Sequence, residues 1–159
     1  SLLAHFSKNN RDVWLSIGRA ADDSNTGLSY VVADVGAQAM AKALDATCQL
    51  TLRGVNFDFN KSTLQKNSES SLQLVATALK ARPKLLLEVQ GHTDNVGDEA
   101  YNDTLSQARA ETVRTWLTSH GVPATQLTAK GYGKRQPVAE NDTDLGRARN
   151  RRVALQCRK

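Results

Sequence analysis

Long hydrophobic runs are absent from this chain of 159 residues. A helix that spans a membrane needs about 20 consecutive apolar residues, and no stretch of the sequence approaches that length. The first residues, SLLAHFSKNN, also lack the long apolar core and the cleavage site of a signal peptide. Because the chain begins without a methionine, this leaves its compartment open. With 40% hydrophobic and 23% charged residues, the composition favours a globular protein with one core.

Aromatic residues and cysteines are also few. Phe, Trp and Tyr make up 5% of the chain, and none interleaves with the basic run GRARNRR near the C-terminus. Despite a net charge of +5, the chain has no nucleic-acid-binding motif, so we expect no nucleic-acid partner. The two cysteines, Cys48 and Cys157, belong to no CxxC or Cys/His cluster, which argues against a zinc or dithiol centre. They are either buried thiols or a disulfide.

The first 48 residues have a different pattern from the rest of the chain. DVWLSIGR and LSYVVADV are rich in alternating apolar or β-branched residues and flank the turn formers DDSNTG, which predicts a β-hairpin. GAQAMAKALDA then has the composition of a helix. A hairpin and one helix are too small for an independent domain. We expect residues 1–48 to be an N-terminal extension or the remnant of a preceding domain.

From residue 49 onward, strand and helix patterns alternate. Strands are predicted at QLTLRGVNFDF, KLLLEVQ, QLTAKGYG and RRVALQC. Helices are predicted within NSESSLQLVATALKARP and from about Tyr101 to His120, where Gly121 and Pro123 follow as stop signals. A loop with solvated arginines is expected before the last strand. The order β-α-β-α-β-loop-β predicts an α/β two-layer sandwich, with a mixed sheet and helices on one face.

An arginine interrupts the apolar face predicted for the second of these helices. At about 100° per residue, Arg109 falls beside Leu105 and Trp116, whereas Arg114 falls on the solvated side. A guanidinium against a core is costly unless an acceptor meets it, and Asp94 in the preceding loop is the nearest candidate. One interpretation is structural, in which an internal acid or backbone carbonyls satisfy the arginine. The other is a cleft whose carboxylate and guanidinium bind the two charges of a zwitterion.

Three blocks of sequence carry a resemblance to a known family. VNFDFNKSTL, VQGHTDNVGDEAYNDTLSQARAETVRTWL and GYGKRQPVAENDTDLGRARNRRVAL resemble the OmpA-like peptidoglycan-binding domain in order, spacing and residue type. The resemblance covers residues 49–159 and leaves out the first 47. It implies a periplasmic protein of a Gram-negative-type cell envelope. The implied function is non-covalent binding of the diaminopimelate residue in the peptidoglycan stem peptide, which anchors the protein or the envelope to the wall.

The resemblance also implies roles for individual residues. Asp94 matches the acceptor of the ligand ammonium, and Arg109 matches the arginine that binds the ligand carboxylate. The other matched positions of the pocket are Asn102, Phe59, Asn60 and, through its hydroxyl or backbone, Thr93. Many members carry Asp where Asn60 stands, and an amide adds no charge there. His92 has no third ligand at a suitable spacing, so neither a metal site nor a catalytic role is expected.

In this family the strand after Cys48 and the strand that ends at Cys157 are antiparallel neighbours, so the resemblance implies a Cys48–Cys157 disulfide. Two alternatives to binding are kept: an enzyme acting on peptidoglycan, and a structural or protein-interaction domain without ligand binding. The first needs a nucleophile with a base, and no Ser/His or Cys/His pair is evident in the matched blocks. No catalytic residue, metal or cofactor is predicted. A homodimer and an outer-membrane association of the full-length protein stay open.

Overall fold

The fold is taken from a computed structural model, which describes residues 2–8, 11–17 and 25–158, with side chains from residue 36 onward. The chain divides into two compact units, Ser1–Ala33 and Asp34–Lys159. Among the described helices, none combines the length and the apolar character needed to cross a membrane.

The first unit contains a β-hairpin, but not at the predicted position. Strands β1 (Leu2–Lys8) and β2 (Arg11–Ile17) pair antiparallel. The segment LSYVVADV, predicted as a strand, lies instead within helix α1 (Asn25–Thr47), so that prediction is wrong. Asp, Ser and Asn initiate helices as well as turns. The valines also continue without a break into an alanine-rich segment, and cooperative helix growth outweighs their local β preference.

The second unit is built on a four-stranded mixed sheet. Its strands are β3 (Gln49–Thr51), β4 (Leu87–His92), β5 (Leu127–Gly131) and β6 (Arg152–Cys157). Their order in the sheet is β3-β6-β4-β5. Strand β4 runs parallel to β5, and β6 runs antiparallel to both β3 and β4. The sheet therefore confirms the predicted mixed α/β class.

Three further helices complete this unit. They are α2 (Glu69–Lys80), α3 (Glu99–Ser119) and α4 (Asp144–Asn150), with short 3-10 helices at Lys66–Ser68 and Ala124–Gln126. Helix α3 ends where predicted, and Gly121 follows it with a φ of 97°, a conformation that favours glycine. Helix α4 occupies part of the predicted loop. Thr143, which the sequence pattern treats as a loop residue, caps it by accepting a hydrogen bond from the Gly146 N–H at 3.0 Å.

The first predicted strand of this unit is much shorter than expected. Strand β3 covers only Gln49–Thr51 of QLTLRGVNFDF. The chain then turns at Gly54, where a φ of 77° is incompatible with a continuing strand. Phe57 and Leu64 form an isolated antiparallel bridge around the segment NKST, residues 60–63.

One hydrophobic core joins the helices to one face of the sheet. Its fully buried leucines include Leu44, Leu72, Leu79, Leu87, Leu117 and Leu155, which come from α1, α2, β4, α3 and β6. The opposite face of the sheet carries polar side chains, among which Gln90 donates to Glu88 and Gln156, each at 2.9 Å. This arrangement matches the prediction of helices on one face.

Two glycines let α3 approach the sheet closely. A Cβ on Gly91 of β4 would collide with the Ser106 carbonyl, and one on Gly131 of β5 with the Gln107 N–H. Ser106 is fully buried there, and its hydroxyl accepts from the Gly133 N–H at 3.0 Å. The contact fixes α3 against the ends of both parallel strands, which is where the site described below is located.

The C-terminal turns of α1 contribute to the second unit. Leu44 is fully buried in its core, and Ala37 and Ala41 are buried beside it. Asp45 forms an exposed ion pair with Arg82 at 2.8 Å. The predicted division of the chain at residue 48 stays a prediction, but these contacts indicate that residues just before it stabilise the unit after it.

We expect Leu44→Ala to lower the free energy of unfolding of the chain by about 2–5 kcal/mol, because it leaves a cavity in a packed core. The exposed Lys42→Ala is the control and should change stability by less than about 0.5 kcal/mol. Urea unfolding followed by circular dichroism measures both. Equal stability of the two variants would mean that residues from 49 onward form the folded unit without α1.

The structure contains a disulfide between Cys48 and Cys157, with Cα atoms 5.1 Å apart. It joins the start of β3 to the end of β6, where the Cys157 N–H also donates to the Cys48 carbonyl at 2.9 Å. The bond closes a loop with a sequence separation of 109 residues. A covalent tie across so long a loop restricts the unfolded chain strongly.

Reduction of this disulfide should destabilise the fold by up to about 4–5 kcal/mol in the chain-entropy account. The measurement is urea unfolding with and without dithiothreitol. The Cys48→Ser/Cys157→Ser double variant is the control, because dithiothreitol should leave its stability unchanged. Two thiols titrated in the denatured, unreduced protein would contradict the pairing.

Candidate functional site

A pocket of about 740 Å³ lies at the end of β4 where α3 begins. Its walls come from the loop before α2, the loop after β4, the first half of α3 and the region of α4. All six residues that the sequence analysis placed in a ligand pocket line it: Phe59, Asn60, Thr93, Asp94, Asn102 and Arg109. The structure thus brings together residues up to 50 positions apart in the sequence. Their roles in binding stay predictions.

Asp94 follows the last residue of β4 by two positions and is held by its own loop. Its Oδ1 accepts the Val96 N–H at 3.0 Å, an Asx-type turn that fixes the carboxylate. Its Oδ2 accepts from the Arg151 Nη1 at 2.6 Å, and the Asp94 side chain is only 11% exposed. The acid is therefore paired with a cation of its own chain.

Arg109 also lines the pocket and makes no ion pair within the described part of the chain. Its Nε donates to the Lys61 carbonyl at 3.0 Å, and its guanidinium lies 5.0 Å from the centre of the Phe57 ring. Burial lowers the pKa of Arg109 and the positive charge of Arg151 adds to this effect, whereas Tyr101 and Asp94 oppose it. Neither Nη group has a hydrogen bond to a described residue. Arg109 thus offers two parallel donors to an anion.

The structure corrects the predicted orientation of α3. Its buried residues are Asn102, Ser106, Ala110, Val113 and Leu117, so the core-facing stripe is centred away from Leu105. Hydrophobicity placed the stripe wrongly, because small polar residues occupy the positions nearest to Gly91 and Gly131. Arg109 consequently lies at the edge of the stripe and reaches the pocket rather than the core.

Arg114 is also not fully solvated, contrary to the prediction. Its side chain is half-buried, and its Nε donates to the Leu127 carbonyl at 2.9 Å while Nη2 donates to the Ala124 carbonyl at 3.3 Å. Backbone carbonyls at the start of β5 therefore satisfy this arginine.

Arg151 was missed as a pocket residue. The run RARNRR was predicted to carry solvated arginines, whereas Arg151 pairs with Asp94 and lines the pocket. Nothing local in the sequence indicates this contact. It follows from the register of β6 against β4, in which Arg152 lies opposite His92. The structure also shows that Asp94 pairs with Arg151 rather than with Arg109, so the internal Asp94–Arg109 pair does not form.

The remaining predicted residues shape the pocket in different ways. Asn102 is buried and donates from Nδ2 to the Val96 carbonyl at 3.0 Å, which holds the Asp94 loop to α3. The Thr93 hydroxyl is buried and donates to the Asp94 carbonyl at 2.9 Å. Phe59 is 87% exposed at the pocket. Asn60 has a φ of 55°, a conformation that Asn tolerates better than most residues.

Residues 56–151, more than half of the chain, match the sequence model of the OmpA family. The chain belongs to the OmpA family. Its match to outer membrane porin F of Pseudomonas fluorescens is 46% identical over 99 residues, which is 62% of this chain but 30% of that protein. The chain therefore spans less than a third of this curated relative.

Two solved structures extend the OmpA family match to the fold. The peptidoglycan-associated lipoprotein from Burkholderia pseudomallei aligns with a TM-score of 0.61 and 36% identity, covering 71% of this chain and 92% of the other. The cell wall anchor of the T6SS from Pseudomonas aeruginosa aligns with a TM-score of 0.59 and 33% identity, covering 69% and 78%. The architecture described above is thus that of an OmpA-like domain.

His92 lies outside the pocket of this OmpA family domain, on the polar face of the sheet. It is 2% exposed and stacks on Tyr132 with ring centres 5.4 Å apart. Neither ring nitrogen has a hydrogen-bond partner among the described residues. Burial, helped by the charge of Arg152 and opposed by Glu88, lowers the pKa of His92 to about 4. The described residues contain no group of three His, Cys, Asp or Glu side chains arranged for a metal ion.

His92 should make stability fall in acid. Its folded pKa of about 4 lies below the ordinary 6.5, so folding favours the neutral ring. This contribution is complete above about pH 6.5 and is lost as the pH falls toward 4, by up to roughly 3 kcal/mol. His92→Phe keeps an aromatic ring for Tyr132 and should remove this part of the slope.

The measurement is the free energy of unfolding in urea between pH 4 and pH 8. The wild type and His92→Phe are compared at each pH. The carboxylates are common to both proteins, so the difference between the two curves reports on His92. Parallel curves for His92→Phe and the wild type would show that the ring carries no such effect.

Proposed function

We propose that this chain binds peptidoglycan non-covalently through the diaminopimelate residue of the stem peptide, and so tethers its protein or the outer envelope to the cell wall. The observation that carries the proposal is that Arg109, whose two Nη groups donate to no described residue, lines the same pocket as Asp94. Similarity to a peptidoglycan-associated lipoprotein and to a cell wall anchor supports the choice of polymer.

The chemistry of the pocket suits the free end of diaminopimelate, which carries an ammonium and a carboxylate on one carbon. The two Nη groups of Arg109 can bind the carboxylate as a planar pair. Asp94 accepts one hydrogen bond at each oxygen, and a carboxylate has about four acceptor sites, so room remains for the ammonium. Phe57 and Phe59, which also line the pocket, offer apolar surface to the methylene chain.

A location in the periplasm of a Gram-negative-type envelope follows from the same proposal. The related proteins include an outer membrane porin and a lipoprotein by name. A disulfide that closes a long loop also suits an oxidising compartment.

A peptidoglycan-acting enzyme is the alternative, and the composition of the pocket favours binding instead. Among the described lining residues Asp94 is the one acid, and it is ion-paired; no His, Cys or Ser lines the pocket. A hydrolase needs a nucleophile with a base, or an acid and a base together. Incubation with purified sacculi separates the two functions, since release of soluble muropeptides would identify an enzyme.

Arg109→Ala and Asp94→Ala should each abolish retention on diaminopimelate-type sacculi. Each leaves one ligand charge desolvated and unpaired, at a cost of about 2–5 kcal/mol. Arg109→Lys should fail as well, because one ammonium cannot replace a two-pronged contact. Arg149→Ala removes the same charge from an exposed position outside the pocket and should bind like the wild type.

The assay is a pull-down at fixed ionic strength, with lysine-type sacculi as a second polymer. Lysine lacks the side-chain carboxylate, so retention on that polymer should be weak for the wild type and insensitive to Arg109→Ala. Equal retention of Arg109→Ala and wild type on the diaminopimelate polymer would show that the arginine is structural.

A further inference from the structure

The charges of the pocket residues and of a bound zwitterion would not sum to zero. Asp94 and Arg151 neutralise each other at 2.6 Å. Arg109 adds a half-buried positive charge that pairs with no acid among the described side chains. A zwitterionic end group brings no net charge, so the occupied pocket would keep an excess of one positive charge. A ligand fragment with one ammonium and two carboxylates would leave no excess. Charge balance matters here because water is partly excluded from the site.

Arg151 has donors to spare for a second carboxylate. One of its N–H groups is used on Asp94, and an arginine has five. Its Nε and Nη2 make no hydrogen bond to a described residue, and its side chain is 47% exposed. Arg151 therefore holds Asp94 with one prong while the rest of the guanidinium remains accessible from the pocket.

Arg147, the third arginine of the lining, is committed elsewhere. Its Nη1 donates to the Asn141 carbonyl at 2.7 Å, and its Nη2 pairs with Asp144. These bonds tie α4 to the loop before it. Arg147 is thus a structural neighbour of the pocket with its charge already matched, and it provides a natural control.

We infer that Arg151 is a second carboxylate-binding residue, which makes the pocket specific for a stem peptide with a further free carboxylate close to diaminopimelate. This rests on the proposed function. Two carboxylates of a stem peptide have this chemistry. One is the α-carboxylate of a γ-linked glutamate that precedes diaminopimelate, and the other is the C-terminal carboxylate of a stem that ends at diaminopimelate.

The test compares three synthetic peptides on the intact chain by calorimetry. The first is L-Ala-γ-D-Glu-meso-diaminopimelate with all carboxylates free, the second carries the glutamate α-amide, and the third carries the C-terminal amide at diaminopimelate. Wild type should bind the free acid about tenfold more tightly than one of the two amides, a difference of about 1.4 kcal/mol. Which amide is weaker identifies the carboxylate that Arg151 meets.

The same peptides on Arg151→Gln give the decisive comparison. Its preference for the free acid should fall to less than about twofold, whereas Arg147→Gln should keep the tenfold preference of the wild type. The preference is a ratio within one variant, so a general change in affinity from unpairing Asp94 cancels. Arg151→Lys keeps the charge and should give an intermediate ratio of free-acid to amide affinity. Binding by this variant would show that substitution at position 151 does not unfold the chain.

The outcomes separate this inference from the proposed function. Equal affinity of the wild type for all three peptides would overturn the role of Arg151 and leave diaminopimelate binding intact. Persistence of the tenfold preference in Arg151→Gln would overturn it too, since another group would then read the carboxylate. No binding of any peptide by the wild type would overturn the proposed function itself.

Discussion

The close contact between α3 and the parallel strands is the constraint on which the site depends. Gly91 and Gly131 have no room for a Cβ because the α3 backbone at Ser106 and Gln107 already occupies it. Asp94 follows Gly91 by three residues, and Arg109 follows Ser106 by three. One backbone contact therefore sets the positions of both the Asp94 carboxylate and the Arg109 guanidinium. A displaced helix would separate the two charges even if both residues were kept.

Strand β6 is fixed at both ends, by a disulfide at one and by an ion pair at the other. At its C-terminal end Cys157 is bonded to Cys48, which covalently fastens the sheet. At its N-terminal end Arg151 is paired with Asp94. Since the antiparallel register along β4 connects the two ends, the strand that carries the disulfide also positions the counter-ion of Asp94. A shift of register would change the pocket as well as the sheet.

The sequence predicted those features that depend on local periodicity or on spaced motifs. Helices α2 and α3, the mixed sheet and the six pocket-lining residues belong to this class. Arg151 could not be predicted, because its contact with Asp94 depends on the register between distant strands. Segments with helix-capping residues were also misjudged, since Asp, Ser, Thr and Asn suit turns and helix starts alike. That ambiguity accounts for LSYVVADV and for α4.

Among the residues that the structure describes, no acid forms an ion pair with Arg109. Partial burial of Arg109 is unfavourable, as the direction of its pKa shift indicates, and the contact with Phe57 and one backbone carbonyl offsets this only in part. Asp94 differs from Arg109 in this respect, because Arg151 forms an ion pair with its carboxylate. If the proposed function is right, this difference between a paired Asp94 and an unpaired Arg109 favours ligand binding. Arg151 and the Val96 N–H hold the Asp94 carboxylate in place, while the two Nη groups of Arg109 supply the electrostatic driving force for binding an anion.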